Sequence, residues 1–499
     1  MLKKYLFWIM TISLFLLLYH PVITTYFTQD DFFHFKISQT DGTLKGLAYL
    51  IGFHPFSERG IAFYRPIFRD LLYHFSYNLF SLNQAPLRLL SFAIHFTNTA
   101  LIIKLFNKLF KNNFVAYFSA FFYTINASNV ATLYYFAGGI QVLGVLMFTL
   151  LSLINFINFL ETKKSKFILI TFVTYILAIA SHEQSYVIPF LLTFLTVIYK
   201  KAKGLRNYIQ ILVPFFLILL VYIFLNYKVI GYSKSEIQYQ TQFNLKRTVN
   251  SLVWYSGWAI GAPEMLIDFM PTLTSLDPRL MRFWGNYFRI ILPSFLISIT
   301  ILFVFTILLF VKQKKVVFNP KFGFLVFWFV IGLLPVIFLP LHKSGHYLTP
   351  VLPPFWGIIA YIVYNFYKYY KKYSPHLSKS VIVILVLLLV ALSSTSAILG
   401  KNFYWASQRG KIAEKLIEQI KKTYPVLPKG ATLYVKNDPS YPFVAEDWGS
   451  SSKQASLILN GSDAIQLLYS DKNISVIYED VNKKEIKNNK VNEITLHIY

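Results

Sequence analysis

The chain has 499 residues, of which 55% are hydrophobic, 18% aromatic and 14% charged, and its formal net charge is +26. A soluble domain carries about 25% charged residues, so this composition excludes an ordinary soluble protein and indicates a polytopic membrane protein. The basic residues recur in short clusters between apolar runs, which argues against a nucleic-acid-binding protein, and the absence of cysteine excludes disulfides and thiolate metal sites.

Apolar runs long enough to cross a bilayer recur along most of the chain. They predict an all-α membrane domain over residues 1–400 with about eleven spans, at 5–27, 86–108, 114–130, 134–160, 167–181, 185–200, 207–230, 287–311, 321–341, 346–367 and 379–400. The first run follows Met1 to Lys4 without a small-residue cleavage site, so we interpret it as an uncleaved span.

Lysine and arginine clusters mark one side of this predicted bundle. They are Lys3/Lys4, Lys108/Lys111, Lys163/Lys164/Lys166, Lys200/Lys201/Lys203/Arg206, Lys312/Lys314/Lys315 and Lys368/Lys371/Lys372. The positive-inside rule assigns that side to the cytoplasm. We therefore expect a multi-pass protein of the plasma (inner) membrane, with a cytoplasmic N-terminus and an extracytoplasmic C-terminal domain.

The first outer loop, residues 28–85, is long and too aromatic to be disordered. Within it, Pro66 to Phe80 predicts an amphipathic helix, because apolar residues recur every four positions from Ile67 to Leu79. Pro66 suits the first turn of such a helix. Because this helix is short for a span, we expect it to lie in the outer membrane interface.

Four more segments are expected on the outer side. They are the short turn at His182 and Glu183, a second large loop at 231–286, a turn at 341–346, and the tail 401–499. In the tail, Ile412, Leu416, Ile417 and Ile420 mark one helix that stops before Pro425. Short β-rich runs follow at 432–435, 456–459, 474–478 and 494–498. The tail therefore predicts a small α/β domain, which we take as accessory because it carries no motif.

The first candidate for chemistry is the acidic pair Asp30 and Asp31, directly after the first span. Two carboxylates are costly to hold near lipid, so they indicate a site that faces water or a cavity. The alternative is a solvated stop to the helix. An adjacent acidic pair could also hold Mg²⁺ or Mn²⁺ with waters completing the shell, although no cofactor is certain.

Two clusters supply cations. Tyr64 and Arg65 precede Pro66, with Arg69 one helical turn further on, and guanidinium groups match phosphate oxygens bidentately. The alternative for Arg65 is a lipid-headgroup anchor. The loop with His342, Lys343 and His346 lies between two predicted spans, and its alternative is a polar loop followed by an interfacial tyrosine.

His182 and Glu183 form a further candidate in a turn too short to leave the membrane surface. A glutamate at that depth is costly unless it is paired, and the alternative is a turn solvated by water. Together the four clusters put carboxylate, guanidinium and imidazole groups on one face of the bundle. This combination suits a transferase that acts on a membrane-anchored phosphate, with a base for a hydroxyl and cations for the phosphate.

This arrangement resembles the GT-C superfamily of membrane glycosyltransferases, which includes the protein O-mannosyltransferases. Tyr64-Arg65-Pro66-Ile67 resembles the Tyr-Arg-Pro-Leu segment of the TMTC-type O-mannosyltransferases. Ala180-Ser181-His182-Glu183 resembles their small-x-Lys-Glu turn, with His182 in place of the lysine. His346-Tyr347-Leu348-Thr349-Pro350 resembles the Arg-Tyr-Leu-x-Pro start of a late span, with His346 in place of the arginine. The tail has no tetratricopeptide repeat, so the TMTC proteins themselves are not matched.

The resemblance implies an inverting glycosyltransferase that moves a sugar from a polyprenyl-phosphate donor to a hydroxyl of a protein, lipid or glycan at the outer membrane face. One of Asp30 and Asp31 would be the general base. Arg65, with Arg69 or with the loop of His342, Lys343 and His346, would stabilise the leaving phosphate. An O-antigen ligase or polymerase and a polysaccharide transporter remain the alternatives, and no nucleic acid is expected as a partner.

Overall fold

A computed structural model of the chain describes residues 2–204, 208–231, 240–270, 272, 275–442, 449–482 and 491–498. Arg206 and parts of the predicted loop 231–286 and tail 401–499 lie outside these ranges.

The helices up to residue 204 are α1 (Leu2–Tyr19), α2 (Asp30–Ile37), α3 (Leu44–Ile51), α4 (Phe56–Arg59), α5 (Leu72–Phe80), α6 (Ala85–Phe110), α7 (Asn113–Ile125), α8 (Asn129–Tyr134), α9 (Phe136–Thr162), α10 (Ser165–Ile179) and α11 (Ile188–Gly204). The later helices are α12 (Ile209–Leu225), α13 (Leu245–Ile260), α14 (Pro278–Lys312), α15 (Lys314–Val317), α16 (Pro320–Ile337), α17 (Leu352–Tyr370), α18 (Pro375–Phe403), α19 (Trp405–Thr423), α20 (Ser451–Leu459) and α21 (Asp463–Leu468).

Seven helical segments within the described part of the chain are long and apolar enough to cross a membrane. They are Lys4–Thr24, Ala85–Phe110, Phe136–Thr162, Ile209–Ile230, Pro278–Lys312, Pro320–Ile337 and the apolar part of Pro375–Thr423. Each coincides with one of the eleven predicted spans. The protein is therefore a helical membrane protein.

The remaining four predicted spans are also helical but shorter or more polar. Helices α7 and α10 are apolar but have only 13 and 15 residues, which is less than the roughly 20 residues that a straight crossing requires. Helix α11 has 17 residues and ends in a basic stretch, while α17 has 19 residues and is rich in tyrosine at its end. At these four positions the sequence correctly predicts helices.

Helix α9 forms the centre of the bundle. Its apolar residues from Ile140 to Leu160 are almost all buried, whereas α1 and α14 expose most of their apolar side chains. Such exposed apolar faces suit helices that contact lipid. Because α9 has 27 residues, its ends lie about 40 Å apart. Tyr135 precedes one end, and the basic residues Lys163 and Lys164 follow the other.

The helix that contains the predicted span 287–311 begins nine residues earlier, at Pro278, within the segment predicted as the second large loop. Helix α14 starts at Pro278, where the Asp277 carboxylate accepts a hydrogen bond from the backbone N–H of Arg279. An aspartate cap followed by proline is a strong start signal for a helix. Trp284 interrupts the helical backbone, which marks the junction between this entry segment and the apolar run.

The predicted amphipathic helix at Pro66 to Phe80 is present as a π-helical turn, Pro66–Leu71, continued by α5. Phe75 and Leu79 are 48% and 70% exposed, while Asp70 and Tyr73 are buried. In the C-terminal half of this segment, Phe75 and Leu79 thus point away from the protein, whereas Ile67 and Phe68 at its start pack against the core.

The C-terminal segment forms a small α/β unit, as predicted, but with three strands in the described residues. Strands β1 (Thr432–Lys436), β2 (Ser475–Tyr478) and β3 (Val491–Thr495) form a parallel sheet in the order β2-β1-β3. The expectation of a strand at 456–459 is wrong, because that run ends α20. Ser450 caps the helix, and Ala455, Ile458 and Leu459 lie on one buried face, a spacing that suits a helix.

Candidate active site

Arg88 on α6 fixes the two chain segments from which the site is built. Its buried guanidinium donates hydrogen bonds to the carbonyl oxygens of Thr25 and Tyr26 and to those of Leu133 and Tyr134. The first pair lies just before Asp30, and the second pair lies just before Tyr135. One planar side chain with five donors therefore ties both segments together.

Gln29 connects the first of these segments to α2 through an unusual backbone conformation. Its φ is +48° and its ψ is −112°, a region that residues other than glycine seldom adopt. The Gln29 N–H donates to the carbonyl oxygen of Ile458 at 2.9 Å. This bond from the C-terminal unit holds the bend that sets the direction of α2.

Asp31 is a structural carboxylate in the first turn of α2. It is 1% exposed, and its two oxygens accept hydrogen bonds from the Thr28 N–H at 3.1 Å and the Tyr73 hydroxyl at 2.9 Å. Burial raises the pKa of Asp31 to about 6, against the lowering effect of Arg88. With both oxygens engaged, Asp31 caps the helix and anchors α5.

Asp30 differs from its neighbour because its side chain is exposed. One carboxylate oxygen accepts a hydrogen bond from the Tyr135 hydroxyl. The surrounding protein still desolvates the group and raises its pKa, while Tyr135 and the charge of Arg409 act in the opposite direction. Asp30 is thus an accessible carboxylate at the edge of a crowded recess.

Aromatic rings surround this recess. The Tyr135 ring lies 5.1 Å from the Trp405 ring and 5.4 Å from the imidazole of His346, measured between centroids. The guanidinium of Arg409 lies over Trp405 at 5.4 Å. Trp405 and Arg409 belong to α19, so the helix that leads into the C-terminal unit supplies one wall of the recess.

A second group centres on Arg65 and Glu183. Nε and Nη2 of Arg65 donate to the two carboxylate oxygens of Glu183 at 2.9 and 2.6 Å, and Nη1 donates to Gln141 Oε1 at 2.7 Å. His182 Nε2 lies 3.4 Å from the same carboxylate. Burial raises the pKa of Glu183, but the charge of Arg65 outweighs this effect and lowers it to about 2.

The imidazoles near Arg65 are neutral. Burial lowers the pKa of His182 to about 3 and that of His342 to about 4. It also holds the pKa of His346 well below its usual value, with further lowering by the charge of Arg65. His346 lies between the Asp30 group and the Arg65 group. Because the imidazoles are neutral, Lys343 and Arg65 are the cations of this loop region that remain charged.

Two other predicted residues have structural partners. Arg69 is 4% exposed, donates to the carboxylate of Asp70 and to the Phe63 carbonyl, and shares Asp70 with Arg59. The Tyr64 ring stacks on Phe53 at 3.9 Å between centroids. Arg69 therefore lies in the interior of the first loop, and it contributes to the fold of that loop.

Sequence reasoning missed several residues of the site. Tyr135 and Gln141 lie at the start of a long apolar helix, and Arg409 and Trp405 lie on a helix that we assigned to an accessory domain. Glu264, which binds the loop of His346 as described below, lies in the second large loop. Only folding brings these residues together, and no local pattern marks them.

The described residues contain no group of three or more His, Asp or Glu side chains placed to hold a metal ion. No protein-family model matches the chain, and no curated protein matches it.

Proposed function

We propose that the protein is an inverting membrane glycosyltransferase that transfers a sugar from a polyprenyl-phosphate donor to a hydroxyl acceptor. The observation that carries this proposal is the difference between Asp30 and Asp31. Asp31 is buried and fully bonded, whereas Asp30 is exposed, bonded to Tyr135 and close to Arg409. A polarised, accessible carboxylate beside aromatic rings suits a general base for a sugar-transfer reaction.

In the proposed reaction, Asp30 takes the proton of the acceptor hydroxyl. The acceptor oxygen attacks C1 of the donor sugar from the face opposite the phosphate. The new C1–O bond forms as the bond from C1 to the phosphate oxygen breaks, so the anomeric centre inverts. A raised pKa makes Asp30 a stronger base than an ordinary carboxylate, and the Tyr135 hydroxyl orients it.

The leaving polyprenyl phosphate needs positive charge and hydrogen-bond donors. Arg65 and Lys343 supply charge at the same end of the bundle, and His346 lies between them and Asp30. Both guanidinium groups have protein partners, but the side chain of Arg69 is only 5% exposed whereas that of Arg65 is 14% exposed, so Arg69 is left out of this role. The ring faces of Tyr135 and Trp405 are a suitable platform for the donor sugar.

The membrane arrangement is also a proposal. We infer that all eleven predicted helices cross the plasma membrane in a GT-C-like arrangement, with α7 and α10 shortened where the chain turns back at the site. The basic clusters would face the cytoplasm, because positive-inside loops set orientation. Asp30, Arg65 and the C-terminal unit would then lie on the outer side, where lipid-linked sugars rather than nucleotide sugars are the available donors.

The test uses purified protein in liposomes with polyprenyl-phosphate sugars and a hydroxyl acceptor. Asp30→Asn should lower turnover about 10²–10⁴-fold while binding of polyprenyl phosphate stays the same. Asp41→Asn is the matched control, because Asp41 is an exposed carboxylate of the same loop, and its hydrogen bonds within the described residues are to Thr43. It should turn over like the wild type.

Product analysis separates the proposal from its rivals. An O-antigen ligase-like enzyme does not require an acidic pair after the first span, so an Asp30→Asn variant with full activity would favour that alternative. Transport of intact lipid-linked sugar without any transfer product would favour a transporter. Inactivation of the Asp41→Asn control would show that loop stability, and not base catalysis, explains the loss.

A further inference from the structure

A third carboxylate, Glu264, lies behind the loop that carries His346. Glu264 begins the 3₁₀ turn Glu264–Phe269 that follows α13. Its Oε1 accepts a hydrogen bond from the Ser344 hydroxyl at 3.1 Å, and its Oε2 accepts one from the Gly345 N–H at 2.8 Å. In the described part of the chain no basic side chain lies within 4 Å of this carboxylate. Glu264 is therefore held by neutral donors only.

Ser344 links this carboxylate to His346. The Nδ1 atom of His346 lies 2.9 Å from the Ser344 hydroxyl oxygen, so a continuous chain of hydrogen bonds runs from Glu264 to the imidazole. The other ring nitrogen, Nε2, faces Gly138 of α9, where an added Cβ atom would lie 3.3 Å from it. Gly138 thus leaves room for the imidazole edge beside Tyr135, whose hydroxyl bonds to Asp30.

We propose that Glu264, Ser344 and His346 form a proton relay that delivers a proton to the phosphate oxygen as the glycosidic bond breaks. This inference rests on the proposed function and assigns His346 Nε2 to the donor phosphate. The Nε2–H proton passes to the oxygen that leaves C1. The Ser344 proton passes to Nδ1, and the Glu264 proton passes to the Ser344 oxygen, so each bond that breaks is matched by one that forms.

The observed heavy-atom positions are compatible with both protonation states of Glu264. When Glu264 is ionised, Ser344 donates to it and accepts from Nδ1–H, so Nε2 carries no proton. When Glu264 is protonated, it donates to Ser344, Ser344 donates to Nδ1, and Nε2 carries the proton. The serine hydroxyl can switch direction because it is both donor and acceptor. The protonation state of Glu264 therefore sets the tautomer of His346.

The two ends of the relay are matched in acidity. Burial raises the pKa of Glu264 to about 7, partly opposed by its bonds from Gly345 and Ser344. A phosphate monoester has a second pKa of about 6, so the proton moves between groups of similar affinity. The other ionisable groups near the chain are Asp268, Tyr255 and Tyr404 around Glu264, and Tyr135, His182, His342 and Arg65 around His346.

A cavity of about 30 Å³ adjoins Glu264. Glu264, Trp258, Ser396 and Tyr404 line it. The Trp258 indole N–H and the Ser396 hydroxyl have no protein partner among the described residues. The lining of this cavity is mostly apolar, and its volume suits about two water molecules. Such waters would bond to Glu264 and to the unpaired polar groups of the lining.

The first test measures turnover and donor binding separately. Glu264→Gln keeps both hydrogen bonds but cannot deliver a proton, and Ser344→Ala breaks the chain. Both should lower kcat about 10²-fold, with the dissociation constant for polyprenyl phosphate within twofold of wild type. Ser344→Thr retains the hydroxyl in an extended backbone that suits a β-branched residue, so it should retain most of the wild-type kcat. Asp41→Asn, at an exposed carboxylate of the first loop, is the control.

The second test measures the tautomer of His346 and does not require turnover. In protein labelled with ¹⁵N-histidine at pH 9, the His346 signal is the one that His346→Gln removes. The wild type should show Nδ1–H, whereas Glu264→Gln should show Nε2–H, because the glutamine amide donates to Ser344. An unchanged tautomer overturns the relay, as does a normal kcat in both Glu264→Gln and Ser344→Ala. If the wild type transfers no sugar, the proposed function is contradicted, and so is the proton transfer from His346 to the donor phosphate. The tautomer measurement still tests whether Glu264 controls the protonation of His346 through Ser344.

Discussion

Replacement of Arg65 by alanine is the most informative perturbation of the Arg65–Glu183 pair. Two hydrogen bonds, at 2.9 and 2.6 Å, join the two side chains, which are only 14% and 9% exposed. Removal of one partner from a buried ion pair costs about 3–5 kcal/mol, because the other charge remains buried without compensation. Arg65→Ala should therefore lower the stability of the folded protein strongly.

The pKa of Glu183 gives a second way to calculate how much stability Arg65→Ala removes. Its pKa falls from 4.5 to about 2 in the folded protein, and at about 1.4 kcal/mol per pKa unit this corresponds to roughly 3 kcal/mol. Because the pKa is lowered on folding, this stabilisation is present above pH 4.5 and is lost as the pH falls towards 2. The loss caused by Arg65→Ala should therefore be large at pH 7 and should shrink as the pH falls below 4.5.

The assay is thermal unfolding in detergent, followed by tryptophan fluorescence, together with binding of polyprenyl phosphate. Arg65→Lys keeps the charge but loses the two-pronged contact, so its loss of stability should be smaller. The control is Lys108→Ala, which breaks the more exposed pair with Glu161 at the opposite end of the bundle and should cost at most about 1 kcal/mol.

The same variant tests the phosphate role of Arg65. Loss of a charge-assisted hydrogen bond costs about 1.5–3 kcal/mol, so Arg65→Ala should weaken binding of polyprenyl phosphate about ten- to a hundred-fold. Wild-type unfolding temperature together with wild-type binding would refute both parts of the reasoning. Arg65 would then be an interface anchor, and the phosphate site would have to be sought around His342, Lys343 and His346.

Two further predictions follow from the backbone and from the distribution of charge. Gln29→Gly should keep activity and should not lower the unfolding temperature. Glycine adopts a φ of +48° without the cost of about 1–2 kcal/mol that a side chain adds. A lower unfolding temperature together with lower turnover would show that the glutamine side chain matters. Single cysteines at the exposed positions Ser57, Ser165 and Ser440 should react with an impermeant reagent from outside, inside and outside respectively, and labelling of Ser165→Cys in intact cells would contradict the proposed topology.

The sequence predicts the elements that depend on local pattern. Apolar length alone identifies the helices of the bundle, and the periodicity from Pro66 to Phe80 correctly predicts a helix with one apolar face. The acidic pair is detectable because charge is costly next to a span. These signals need no knowledge of the tertiary arrangement.

The functional difference between Asp30 and Asp31 could not be predicted in this way. Both are acidic residues at the start of one helix, and only the fold gives Asp31 the donors Thr28 and Tyr73. The strand expected at 456–459 fails for a related reason. A short apolar run has no decisive period of its own, and the Ser450 cap favours the helix.

The tail, which we interpret from its sequence as accessory, contacts the segment that carries Asp30. The Ile458 carbonyl accepts the N–H of Gln29, and α19 supplies Arg409 beside the carboxylate. Lys36 and Tyr77 of the first loop bond to Gln466 and to the Leu467 carbonyl, respectively.

A non-glycine residue at positive φ persists only where its surroundings fix it. The bond from Gln29 to Ile458 is such a restraint, and it acts one residue before the proposed base. Arg88 fixes the same segment from the membrane side through the carbonyls of Thr25 and Tyr26. The orientation of Asp30 is therefore determined jointly by a membrane helix and by the C-terminal unit, so a catalytic function for Asp30 would require both parts of the chain.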